Sequence, residues 1–273
     1  MAPILHCIRH AQGFHNEGNG HYYLQDPELT PLGKQQCEAL RETSFVDRSG
    51  ISLVVASPMK RALHTAWLTF NPALTSGGKC SPFIIALPDA QETSNDPCDT
   101  GSDWYSLHDT VAENGWSIDL SLVKSGWNDK SLDSRYSGRL DAIRTRARDL
   151  RIFLYRRMQD LVQKGDKDAE VVLVAHGSFL HFFTEDWEDA DRSNGTGWKN
   201  CETRSYVFED SDMADHDSEA QLVETRGSRQ SRGKMHAMYE KEKQARLFET
   251  AMRFWESSGL QAPDKVGVGK TKL

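Results

Sequence analysis

The sequence predicts an α/β fold: a three-layer sandwich with a mostly parallel central sheet flanked by helices, an irregular or helical insertion, and a C-terminal helix. Short apolar runs typical of buried strands alternate with longer segments of helical period along most of the chain. Two apolar runs lead directly into histidines, His10 and His176, each followed by a loop that contains glycine. The carboxyl ends of parallel strands lie at one edge of a sheet, so we expect the two histidines to share one site.

The predicted strands are short runs enriched in Val, Ile and Leu. They comprise residues 4–8, 51–56, 83–87, 171–175, 203–208 and 221–224. The early strands alternate with helical segments, which favours parallel pairing between them.

Cap residues and apolar spacing predict the helices. Two dipeptides place a cap residue before a proline suited to the first helical position: Thr30-Pro31 and Ser57-Pro58. We therefore predict helices from each dipeptide to about residues 45 and 70, the second with Arg61 in its first turn. Apolar residues at helical spacing predict further helices at residues 103–113, 140–161, 178–186 and 233–257.

The chain is predicted to form a single domain over residues 1–260, followed by a flexible tail at residues 261–273. Residues 88–137 are rich in Asp, Ser, Gly and Trp, and we interpret them as an insertion that covers the site. The acidic, polar residues 210–218 are expected to form a solvated loop.

Composition excludes several classes of protein. The formal net charge of -7 argues against nucleic-acid binding, so an anionic substrate would need a local cluster of cations. Five cysteines without CxxC spacing argue against a disulfide framework or a zinc site. No apolar run is long enough to cross a membrane. We expect a soluble, cytoplasmic protein whose partner is a small phosphorylated substrate, and the sequence leaves a homo-oligomer open.

The candidate site residues point to phosphoryl transfer. The His10 imidazole can act as nucleophile, and the guanidinium groups of Arg9 and Arg61 suit the phosphate oxygens. Nearby guanidinium charge disfavours imidazolium, which predicts a neutral His10 near pH 7. His176 would stabilise charge on the transferring group, and Glu92 is the carboxylate best positioned to protonate the leaving oxygen. This chemistry needs no metal and no cofactor.

These residues resemble the histidine phosphatase superfamily, also called the phosphoglycerate mutase-like family. Its signature is Arg-His-Gly with a downstream Asn, and the match is Arg9-His10-Ala11 followed by Asn16, with Ala in place of Gly. Gln12 replaces the usual Glu. The resemblance covers roughly residues 4–210 and continues through LTPLGKQQ at 29–36, SPMKRALHT at 57–65 and VAHG at 174–177. The insertion resembles that of plant and fungal members of uncertain substrate.

The resemblance implies roles at the matching positions. His10 would become phosphohistidine, with Arg9, Arg61 and His176 completing the phosphate pocket and Asn16 as an additional phosphate contact. Glu92 would be the proton donor. Three nearby carboxylates are alternatives for this last role: Asp89, Asp96 and Asp99.

Three functions follow in order of preference. The first is a metal-independent phosphatase of a small phosphorylated metabolite, working through phosphohistidine. The second is a phosphoglycerate mutase-type phosphotransferase, and the third is binding or other chemistry on an anionic substrate in the same pocket. His6 and His15 match no motif position, and His181 is expected to be a packing residue.

Overall fold

The computed structural model describes residues 2–18, 21–45, 47, 49–192, 196–209 and 219–267. Within these ranges one sheet contains seven strands. They are β1 (Ile4–Arg9), β2 (Ile51–Ala56), β3 (Ile84–Ala86), β4 (Ile118–Asp119), β5 (Glu170–Ala175), β6 (Thr203–Phe208) and β7 (Leu222–Glu224). Their spatial order is β4-β3-β2-β5-β1-β6-β7.

The sheet is mostly parallel, as predicted. Strands β4, β3, β2, β5 and β1 pair in parallel, and only β6 and β7 run antiparallel to their neighbours. The β1–β5 register pairs Arg9 with Ala175. His10 and His176 therefore leave the sheet side by side, because each is the next residue along its strand.

Helices cover both faces of the sheet. They are α1 (Pro31–Thr43), α2 (Lys60–Thr75), α3 (Trp104–Glu113), α4 (Leu140–Gln163), α5 (Gly177–Thr184), α6 (Arg226–Ser231) and α7 (Lys241–Ser257). One hydrophobic cluster joins β1, β2 and β5 to α4, α5 and α7, and a second joins the same strands to α1, α2 and α3. Successive strand residues such as Leu173 and Val174 belong to opposite clusters, which is the alternation expected of a sheet buried on both faces. The predicted three-layer sandwich is confirmed.

The predicted start of α2 at Ser57 is wrong. The Ser57 N–H donates to Val174 O at 2.9 Å and so continues the sheet ladder. The helix begins at Lys60, whose N–H donates to Oδ1 of the buried Asp26 at 3.0 Å. A carboxylate distant in sequence therefore caps this helix, and local sequence alone did not indicate it.

The helix predicted over residues 233–257 begins only at Lys241, and the short helix α6 precedes it. Residues 88–137 are irregular around α3 and β4 and include two 3-10 helices, Pro88–Ala90 and Pro97–Asp99.

Residues 261–267, assigned to the tail from sequence, contain the 3-10 helix Pro263–Lys265, and Pro263 is buried. The expected loop at 210–218 and the end of the tail at 268–273 lie outside the described residues. In the part of the chain that is described, no helix combines the length and apolar character needed to cross a bilayer.

Candidate active site

His10 is buried at the carboxyl end of β1, and its ring is held from both sides. Nδ1 lies 2.7 Å from Ala11 O, and Nε2 lies 3.2 Å from Nε of Arg61. A carbonyl only accepts and a guanidinium only donates, so Nδ1 carries the hydrogen and Nε2 is unprotonated. Burial, then the charges of Arg61 and Arg9, hold the His10 pKa well below its usual value of 6.5. The ring is therefore neutral near pH 7, with Nε2 facing a cation.

Arg61 occupies the first turn of α2 and is fully buried. Besides Nε2 of His10, its guanidinium donates to Cys98 O at 2.6 Å and to Oδ1 of Asp99 at 3.0 Å. This side chain therefore ties His10 to the insertion, and it fixes a positive charge beside the nitrogen that would attack.

Arg9 supplies the second buried guanidinium. Its Nη1 donates to Trp198 O and, at 3.4 Å, to Oγ1 of Thr196. Its Nε is buried and has no hydrogen-bond partner among the described residues. An unsatisfied buried donor on a cation is a suitable contact for an anion.

His176 lies directly beside His10, with 5.1 Å between the two ring centroids. Its Nε2 lies 2.8 Å from Oγ of Ser57, and its Nδ1 is buried without a partner in the described structure. Burial, then Arg61, holds the His176 pKa well below 6.5. The ring is neutral and stands behind His10, outside the lining of the cavity described next.

A small cavity of about 80 Å³ opens at this edge of the sheet. It is lined by five of the six residues singled out from sequence: Arg9, His10, Asn16, Arg61 and Glu92. The structure therefore brings those five together around one hollow, with His176 adjacent through the His10 ring.

Glu92 meets the amino terminus of α5. Its Oε1 accepts from the N–H groups of Thr93 and Phe179, both at 2.9 Å, and its Oε2 accepts from Ser178 N at 3.2 Å. Burial and then the Asp99 carboxylate raise the Glu92 pKa, while these N–H groups and Arg61 oppose the rise. A raised pKa keeps a larger fraction of the carboxyl protonated, which suits an acid.

The Glu92 segment is held by two cations. Arg146 donates to Glu92 O at 3.0 Å, and Nζ of Lys130 donates to the same oxygen at 2.8 Å. Arg146 is fully buried and also donates to Asp89 O and Gln91 O. Burial, then the charge of Arg146, lowers the Lys130 pKa to about 7. These contacts fix where the Glu92 carboxyl enters the cavity.

The three alternative carboxylates are in different environments. Asp89 pairs with Arg135 at 2.8 Å and does not line the cavity. Asp96 and Asp99 both line it, and both accept from Oγ of Ser94, at 3.0 and 2.7 Å. Of the alternatives for the acid, Asp96 and Asp99 are therefore the two that border the site.

Asn16 reaches the cavity from the loop after β1, within the 3-10 helix Phe14–Glu17. Its Oδ1 accepts from Gly13 N at 3.1 Å and from Nδ2 of Asn200 at 3.4 Å. Asn200 also donates to His10 O at 3.0 Å, a contact that no sequence motif indicated. Asn16 thus shapes the loop around His10 as well as lining the cavity.

The two departures from the family signature have structural partners. The Ala11 side chain packs in a small cluster with Leu29 and Cys37. Oε1 of Gln12 accepts from Oγ1 of Thr30 at 2.8 Å, which joins the loop to the start of α1. Both residues therefore fasten the loop after β1 to the helix α1.

Sequence reasoning missed His15. Its ring is buried, lines the cavity, and lies 5.5 Å from the His10 ring. The only signal in the sequence was its position in the loop directly after the first strand. Residues distant in sequence also line the cavity, among them Tyr22, Leu260 and Gln261.

In the described ranges, no group of three His, Cys, Asp or Glu side chains is arranged to hold a metal ion. His10, His15 and His176 are thus close to one another without forming such a group.

Comparison with known proteins agrees with this geometry. The model of the histidine phosphatase superfamily (branch 1) matches residues 5–73. Phosphoglycerate mutase-like protein 1 of Arabidopsis thaliana is 28% identical over 256 residues, which cover 78% of this chain and 84% of the relative. The chain belongs to the histidine phosphatase superfamily. Membership of this superfamily supports phosphatase or mutase activity.

Two further similarities involve proteins named as phosphatases. A Schizosaccharomyces pombe protein named "Probable phosphatase" is 29% identical over 99 residues, which cover 36% of this superfamily member and 44% of the relative. The crystal structure of ecdysone phosphate phosphatase from Bombix mori, in complex with tungstate, superposes with a TM-score of 0.49 at 14% identity. That match covers 75% of this chain and 88% of the other.

Proposed function

We propose that the protein is a metal-independent phosphatase that hydrolyses a small phosphorylated metabolite through a phosphohistidine on His10. One observation carries the proposal: the Ala11 carbonyl holds the hydrogen on Nδ1, and the free Nε2 faces the Arg61 guanidinium at the cavity. A neutral imidazole with its outer nitrogen unprotonated is a nucleophile ready to attack.

The first step forms a bond between Nε2 and phosphorus, and the bond from phosphorus to the leaving oxygen breaks. The imidazole becomes positively charged, and the Nδ1–H bond to Ala11 O stabilises that charge. Arg9 and Arg61 stabilise the charge on the phosphoryl oxygens. Glu92 gives its proton to the leaving oxygen.

The second step reverses these roles with water. The Glu92 carboxylate takes a proton from water as its oxygen bonds to phosphorus, and the bond from Nε2 to phosphorus breaks. Inorganic phosphate leaves, and His10 returns to its neutral state with Nδ1 protonated. The raised pKa of Glu92 supports this use as acid and then base, because the group is easier to protonate than an exposed glutamate.

Charge around the cavity favours hydrolysis over mutase chemistry. A phosphoglycerate-type substrate carries a carboxylate, which calls for further cations around the pocket. Among the described residues that line the cavity, Arg9 and Arg61 are the lysine or arginine residues present, and Asp96, Asp99 and Glu92 add negative charge. We therefore infer a substrate with little negative charge close to its phosphate. The yeast relative named as a phosphatase also favours hydrolysis.

We further propose a cytoplasmic protein with this metabolite as its partner. All five cysteines are free, which suits a reducing compartment.

The direct test is release of phosphate from p-nitrophenyl phosphate in the presence of EDTA. The wild type should be active, and His10→Ala should lose activity. His64→Phe is the control, because His64 stacks on Trp116 outside the cavity. Full activity of His10→Ala, or loss of wild-type activity on removing metal, would overturn the proposal.

A further inference from the structure

We propose that His15 is a substrate-binding residue of the phosphate cavity, in which one of its ring N–H groups donates directly to an oxygen of the phosphoryl group. The inference rests on the proposed function, since it adds a third imidazole to the same site. Four observations support it: the position of the ring, an unpaired nitrogen, the space made for the ring by Gly13, and the surrounding charge.

The ring is in the right position for such a contact. His15 follows β1 within the 3-10 helix Phe14–Glu17, and it lines the cavity together with Arg9 and Arg61. Its ring centroid is 5.5 Å from that of His10. A group bonded to Nε2 of His10 would therefore sit beside the His15 ring.

The hydrogen bonding of His15 differs from that of a packing histidine. Its Nδ1 is buried, with only 6% of the residue exposed, and has no partner among the described residues. His181 is also buried, but its nitrogens bond to Asp186 O and Thr196 O. Buried polar atoms are nearly always paired, so the free Nδ1 of His15 indicates a partner that enters with a ligand.

Gly13 makes room for this ring. A Cβ on Gly13 would lie 2.9 Å from both Cε1 and Nδ1 of His15. The Gly13 backbone has φ of -95°, an extended conformation open to any residue. Glycine is therefore required here by the imidazole, which folds back over the chain, and not by the backbone angle.

The charge around His15 suits a neutral donor. Burial, then Arg61 and Arg9, holds the His15 pKa well below 6.5, so the ring enters no repulsion with the guanidinium groups. A neutral imidazole still has one N–H to donate. It can therefore bind a phosphate oxygen between the two cations.

The test compares His15→Phe, which keeps a ring and removes both nitrogens, with His15→Gln, which restores an N–H donor. His64→Phe is the matched control. Binding of inorganic phosphate is measured by calorimetry, and KM and kcat are measured with p-nitrophenyl phosphate. His15→Phe should raise the phosphate Kd and the KM about tenfold, as expected for loss of a hydrogen bond to a charged group, and His15→Gln should recover part of the loss.

Unchanged phosphate binding in a folded His15→Phe variant overturns the proposal, even when the enzyme is an active phosphatase. Weakened phosphate binding in a protein without phosphatase activity supports it, while the proposed function fails. If His15→Phe does not fold, the wild type is titrated with inorganic phosphate and its imidazole nitrogens are followed by NMR. A shift of the His15 nitrogens supports the contact, and unmoved His15 nitrogens alongside a shift at His10 overturn it.

Discussion

Arg61 donates its Nε–H to Nε2 of His10 over 3.2 Å, and this contact aligns the proposed nucleophile with the cation that would receive the phosphate. The same guanidinium bonds to Cys98 O and Asp99, so three fixed acceptors set its plane. A ligand phosphate would replace Nε2 as an acceptor of the Nε–H. Arg61 therefore links the empty and occupied states of the site.

Replacing the guanidinium fork should be costly. Arg61→Lys keeps the charge but cannot reproduce three donors in one plane, so we expect kcat/KM to fall about 100-fold or more. Steady-state kinetics measures the effect, and circular dichroism checks the fold. The control is Arg135→Lys, which alters an ion pair with Asp89 outside the cavity. A loss of less than about threefold in Arg61→Lys would contradict its placement at the phosphate.

Glu92→Gln should slow substrates with poor leaving groups far more than p-nitrophenyl phosphate. A good leaving group needs little protonation, so removing the acid matters less for it. The comparison of kcat/KM for p-nitrophenyl phosphate and an alkyl phosphate measures this difference. Asp99→Asn is tested beside it, because Asp99 also lines the cavity. Selective loss in Asp99→Asn, and equal losses on both substrates in Glu92→Gln, would transfer the acid role to Asp99.

The buried histidines should make the fold less stable in mild acid. The pKa values of His10, His15, His176 and His181 are all lowered from 6.5, chiefly by burial. Below that value the unfolded chain binds more protons than the folded chain, so stability present above it is lost as pH falls. Each histidine contributes up to about 1.4 kcal/mol per pH unit. Urea unfolding at about pH 7.5 and about pH 5.5 measures the change, and equal free energies of unfolding would contradict it.

Gly33→Ala should destabilise the loop after β1. A Cβ at Gly33 would lie 2.1 Å from the backbone oxygen of Gln12, which joins that loop to α1. We expect a loss of about 1–3 kcal/mol in the free energy of unfolding, because backbone must move. Gly227→Ala in α6 is the control, since its Cβ would meet nothing within 4 Å. Thermal unfolding of both variants decides, and equal stability of the two would contradict the crowding.

Local patterns were enough to predict the sheet and the meeting of His10 and His176. The alternation of apolar strands with helices fixes parallel pairing, and parallel strands bring their carboxyl ends together. The start of α2 could not be predicted, because Asp26 caps it from a distant segment. Asn200 and Gln261 were missed for the same reason: tertiary contacts bring them to the site.

His15 was missed for a different reason. It lies in the segment that sequence analysis identified, but its type and spacing match no known motif position. Its importance is visible only from the unpaired Nδ1 and from the contact with Gly13. Unsatisfied buried atoms are properties of packing, which a one-dimensional pattern does not contain.

The most direct test of the account is to trap the enzyme during turnover and locate the phosphoryl group. The protein is mixed with p-nitrophenyl phosphate, quenched rapidly without acid, and analysed by mass spectrometry of its peptides. The account predicts one phosphoryl group on His10, absent from His10→Ala. Turnover with no phosphorylated His10, or with the label on another residue, would contradict it.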